Sequence, residues 1–89
     1  MPKTYISWEV VTQPGTKKEA QKFTQRRLAV RAALKYCNQY GGAREAHRAE
    51  VYELHQAPWD RDSRRTLLTT VIRDSWRNAR MEPPLAIRL

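Results

Sequence analysis

The stretch "TYISWEVVT", Thr4 to Thr12, alternates Ile6, Trp8 and Val10 on one side with Tyr5, Ser7, Glu9 and Val11 on the other. Period-two alternation in a run rich in β-branched and aromatic residues is the pattern of a strand. The unpaired backbone groups along both rims of a strand need partners, so the rest of this small chain has to supply a sheet. The 89 residues fit one domain, residues 1–89. A domain of that size buries about two thirds of the surface its unfolded chain exposes, which leaves little room for a deep catalytic cleft.

After the strand, "QPGT" is a turn, and "TKKE" places Thr16 and Glu19 at the spacing of a capping box. This predicts a helix from Lys17 to about Tyr40, closed by Gly41 and Gly42. It would be a rod of roughly 35 Å at 1.5 Å per residue. "HRAEVYELHQ", His47 to Gln56, is compact and partly β-branched and is read as a second strand, with a helix over 43–57 as the alternative. From Asp60 or Ser63 to Arg80, the residues Leu67, Leu68, Val71, Ile72, Trp76 and Ala79 recur at three and four, predicting a second helix that "MEPP" ends. "LAIRL" offers a short final edge strand. The expected fold is α/β (α+β), a two-layer β-α-β-α(-β) domain. Strand, crossover helix and strand would form a parallel unit, and both helices would pack on one face of a short sheet.

The formal net charge is +8, and it is concentrated. Residues 17–35 carry seven cations against Glu19, and residues 61–80 carry six arginines against Asp62 and Asp74. On a wheel, the first helix places Ala20, Phe23, Val30, Leu34 and Cys37 on one face. Arg27, Arg31 and Lys35 form a row beside it, with Lys17 on the same line, and Lys18, Lys22 and Arg26 form a row on the other flank. Long cationic side chains often lie at such a border with their stems on the core and their heads in water. A helix that is merely solubilised usually intersperses Glu with Lys, however, and this one repels itself unless something anionic is bound. In the second helix Arg73, Arg77 and Arg80 lie opposite the apolar stripe, and Arg61, Arg64 and Arg65 cluster at the start. Arginine's planar fork pairs bidentately with phosphate, which favours recognition over solubility.

Aromatic residues lie among these cations: Trp59, Trp76, Tyr36 and Tyr40. They suit stacking on single-stranded bases, although a small core needs most of its aromatics. His47, Glu50, Glu53 and His55 match no strong metal or nuclease spacing, and pairing of these acids with Arg44 and Arg48 accounts for them better. Cys37 is read as a small core residue that has no disulfide partner. No catalytic residue, metal ligand or cofactor is expected.

The expectation is a small non-enzymatic protein that binds DNA or RNA through the phosphate backbone. Its contacts are Lys17, Lys18, Lys22, Arg26, Arg27, Arg31, Lys35, Arg61, Arg64, Arg65, Arg73, Arg77 and Arg80. The alternative is an accessory or inhibitor protein of phage or mobile-element type that binds an acidic surface or a nucleic-acid channel of a host machine. In that case Tyr52, Leu54 and Trp59 are the candidate protein interface. With one cysteine, no long apolar run and no secretory leader pattern, the expected setting is the cytoplasm or another reducing compartment, away from membranes. An exposed strand at "LAIRL" would permit a strand-paired homodimer.

Overall fold

The computed structural model describes residues 5–13, 17–40, 47–56, 64–74 and 77–85. Their order is β1 (Tyr5–Thr12), β2 (Glu19–Phe23), α1 (Arg26–Tyr40), β3 (His47–Gln56), β4 (Arg64–Arg73) and β5 (Arg80–Glu82). The five strands form one sheet in the order β2-β1-β3-β4-β5, with every neighbouring pair antiparallel. Among the described residues α1 is the single helix. The expected β-α-β-α(-β) domain with two helices is therefore replaced by an antiparallel sheet carrying one helix.

β1 and β3 occupy the segments that the sequence marks as strands. The first correction lies between Lys17 and Gln25. Glu19–Phe23 pairs with β1, placing Phe23 opposite Trp8, so the aromatic ring enters the core from a strand rather than from a helix. Ala20, expected on the buried face, is exposed. A hairpin partner satisfies the outer rim of β1 at short range, which an early helix start would have left open. The proposed cap residue Thr16 and the glycines Gly41 and Gly42 lie outside the described residues.

This hairpin also changes the crossover. Register places Glu19 beside Thr12 and Phe23 beside Trp8, while Ala49 lies beside Thr12 and Glu53 beside Trp8. β2 and β3 thus run in the same direction, with β1 between them in the opposite one. Helix α1 joins β2 to β3, and the expected parallel unit of β1, helix and β3 does not form, since β1 and β3 are antiparallel neighbours.

The second correction is β4. The Leu67, Leu68, Val71, Ile72 stripe is not helical: Arg64–Arg73 is a ten-residue strand paired with β3. Tyr52 opposes Leu67 while Val51 opposes Thr69, so Leu68 is an extra residue, a β-bulge that shifts the side-chain phase. Leu68 packs against the core, whereas Leu67 remains 50% exposed. The third correction is at the end of the chain. β5 is Arg80–Glu82, which sits on the outer rim of β4, and Leu85 folds back against the core. Residues 86–89 of the proposed "LAIRL" strand lie outside the described residues.

The helix stays on the sheet through small residues. Ala29, Val30, Ala33 and Cys37 are fully buried, and they meet Val10, Ala49, Val51 and Val71 from three strands. Alanine at the contact lets the helix backbone come close, and its high helix propensity supports the element itself. At the far end of α1, the Asn38 carbonyl accepts a hydrogen bond from the Arg73 guanidinium. The Asn38 side-chain oxygen accepts the Ala79 N–H at 2.8 Å. These contacts fasten the helix to the segment leading into β5.

Candidate nucleic-acid interface

Burial of Ala29, Val30, Ala33 and Cys37 turns Arg27, Arg31 and Lys35 to the side of α1 that faces solvent. All three are exposed and have no hydrogen-bond or ion-pair partner among the described residues. Each step along the row rises about 6 Å. Helix α1 contains no acid, and its first turn carries Arg26 and Arg27 at the positive end of the helix dipole, where cations are disfavoured. The row is thus a ridge of positive charge with no compensation inside its own element.

The other cations divide into two groups. Lys17 and Lys18 precede β2, and Lys22 lies within it opposite Glu9, so the expected row Lys18, Lys22, Arg26 does not exist on one helix. All four are exposed, as is Arg64 at the start of β4. Arg65, Arg73 and Arg80 are instead occupied by the fold. Arg65 reaches Glu9 two strands away at 2.8 Å, and its guanidinium lies 3.8 Å from the centroid of the Tyr52 ring. Arg73 donates to the carbonyls of Arg77 and Asn38. Arg80 binds Asp74 through two hydrogen bonds and Glu82 through a third, and this contact holds the Asp74 carboxyl below the usual carboxylate range. Arg73, Arg77 and Arg80, expected as a row on a second helix, therefore lie in β4, in the connection after it and in β5. Arg61, Trp59 and Trp76 lie outside the described residues.

The sheet face away from the helix carries Glu9, Tyr52, Leu54 and Ile72. Leu54 is buried at 6% exposure beside Arg65, and Tyr52 donates its hydroxyl proton to Glu50. Arg65 links Glu9 and Tyr52 on this face. His55 and Glu53 pair at 2.9 Å, but His47 stands eight residues along the same strand, roughly 26 Å away at strand rise. The two histidines therefore do not share a site, and no cluster of three metal-ligating side chains occurs among the described residues. No helix among these residues is long and apolar enough to cross a membrane.

One feature was not foreseen from the sequence. A cleft of about 480 Å³ opens between β2 and the C-terminal half of α1, with Glu19 and Gln21 contributed by the strand and Ala32, Tyr36 and Tyr40 by the helix. The Tyr36 and Tyr40 rings lie 5.2 Å apart with a 51° tilt, and both contact the His47 ring. Burial pushes the Tyr36 hydroxyl above its ordinary pKa, with Cys37, Tyr40 and Glu19 adding to the shift. The signal available in the sequence was Tyr36 and Tyr40 four residues apart beside Lys35. It became legible only once Glu19 was placed on a strand facing them.

Comparison of the chain with protein-family models, curated proteins and solved structures finds no match.

Proposed function

We propose that this protein is a non-enzymatic nucleic-acid-binding module whose primary contact surface is the outer face of α1. The observation that carries the reading is the ridge Arg27, Arg31, Lys35, exposed and without partners among the described residues, on a helix with no acid. Phosphates along a strand supply a row of negative charge, and their neutralisation releases condensed counterions. Arg26, Lys17 and Lys18 extend the positive surface towards β2. The reading is one of backbone recognition without sequence-specific motif readout. It does not need Arg65, Arg73 or Arg80, whose guanidinium groups are already engaged.

Fluorescence anisotropy with labelled duplex DNA, single-stranded DNA and RNA tests it. Three phosphate contacts imply that log affinity falls with log salt at a slope of about 2 to 3, so affinity should drop about 40-fold on duplex between roughly 50 and 200 mM salt. Combined Arg27→Glu, Arg31→Glu and Lys35→Glu should abolish binding with the thermal transition retained. If none of the three probes binds at about 50 mM salt, the proposal fails, and the same ridge should then be tested against an acidic protein surface.

A further inference from the structure

The cleft between β2 and α1 has features that phosphate binding does not explain. Tyr40 is a large aromatic side chain left 55% exposed, directly after Tyr36 on the helix face that turns towards β2. Facing the two rings is Glu19, the one acid in the cationic block from Lys17 to Lys35. A carboxylate repels phosphate and only accepts hydrogen bonds, so it calls for a ligand edge rich in N–H donors. Gln21 beside it offers one acceptor and two donors. Lys35 precedes Tyr36 and belongs to the cationic ridge, so a phosphate on the ridge holds its own base near the cleft.

We propose that this cleft receives one unpaired nucleobase, stacked on Tyr36 and Tyr40 and read on its Watson–Crick edge by Glu19, with guanine as the preferred base. The proposal rests on the nucleic-acid reading above and names what that surface selects. A volume of about 480 Å³ admits a purine. Aromatic faces accept any base, so the tyrosines supply affinity for single strands, while discrimination falls to the polar groups opposite them. Guanine alone presents two adjacent donors, N1–H and N2–H, that match a carboxylate's two oxygens in a bidentate pair. Adenine and cytosine offer a single amino donor at that edge beside a ring acceptor, which a carboxylate repels. A free organic cation is a poorer occupant, because the net charge of +8 disfavours its approach.

The test uses the full chain and labelled single strands of ten thymidines, with the central residue kept as T or replaced by G, A or C, together with a duplex of the same length. The G-containing strand should bind about tenfold more tightly than the all-T strand. Glu19→Gln should remove that preference while leaving the all-T affinity equal or higher. Tyr40→Ala should weaken every single strand about fivefold or more and leave duplex binding unchanged, and Tyr40→Phe should restore the single-strand affinity. Thermal melting of each variant confirms folding, which an exposed tyrosine does not control. Equal binding of all four single strands, or a Tyr40→Ala variant that binds them like the parent, overturns the base site and leaves the ridge reading intact. Failure of every oligonucleotide to bind overturns both. Saturable binding of tetramethylammonium with no base preference assigns the cleft to a cation and overturns the base site alone.

Discussion

Arg31 sits between Arg27 and Lys35 at four-residue steps, so it takes part in two like-charge contacts on one helix face. Such pairs cost a few tenths of a kcal/mol each, and opposite charges return a similar amount. Arg31→Glu should therefore stabilise the folded protein by roughly 1 kcal/mol while weakening nucleic-acid binding about tenfold or more. Urea denaturation measured beside anisotropy checks both signs. A loss of stability would mean that Arg31 has a native partner and that the ridge is structural. Cys37 is the opposite kind of residue: fully buried, its thiol 3.4 Å from the Val71 carbonyl, with burial pushing its pKa from 9.0 up to about 11. The folded state thus favours the protonated thiol. Its contribution to stability is complete below about pH 9 and is lost as pH rises through about 11. At pH 8 a thiol-specific reagent should modify Cys37 only as fast as the protein unfolds, and modification at the rate of a free thiol would show that α1 does not pack as described.

At the level of elements, the bulge in β4 decides which leucine belongs to the core. Leu67→Ser should change stability by no more than about 0.5 kcal/mol, and Leu68→Ser should cost about 1.5 to 3 kcal/mol, read from urea midpoints at constant slope. Equal costs would indicate a helix, in which both leucines fall on one stripe. The same bulge explains why this segment reads as helical in the sequence. Leu67, Leu68, Val71 and Ile72 are spaced one, three and one apart, which a helix wheel accepts and an unbroken strand does not. An inserted residue restores the period of two, and it leaves no mark in the hydrophobic pattern. The contrary signal was the β-branched content, with Thr66, Thr69, Thr70, Val71 and Ile72 in one ten-residue run. β1 was legible because its alternation is uninterrupted, and β3 because it is compact and partly β-branched, although its apolar phase changes between Val51 and Leu54. β2 was not, since Lys22 and Glu19 suit a capped helix as well as an edge strand. Of the candidate contacts, the row Arg27, Arg31, Lys35 retains its solvent-facing geometry because all three lie inside α1. The arginines after Asp60 were placed by a helix that does not form, and several of them bind backbone or carboxylate groups instead.

For the whole molecule, the separation of roles has a thermodynamic consequence. The sheet and the inner face of α1 hold the fold together through apolar contacts, while most of the net charge of +8 lies on exposed side chains with few acids to offset it. Self-repulsion then opposes the compact state, and salt screens it with a Debye length that shrinks from about 30 Å at 0.01 M to about 10 Å at 0.1 M. The free protein should therefore melt at a higher temperature as salt is raised from about 20 to 300 mM. A bound polyanion reverses the dependence. Ligand binding raises stability by RT ln(1 + [L]/Kd), and Kd rises steeply with salt when several phosphates are contacted. With saturating single-stranded DNA the melting temperature should be highest at low salt and should fall as salt increases, until it meets the rising curve of the free protein. Differential scanning calorimetry with and without oligonucleotide gives both curves. A free-protein curve that is flat or falling would show that the exposed cations are offset within the fold, and two curves that coincide at every salt concentration would remove nucleic acid as the ligand that relieves their repulsion.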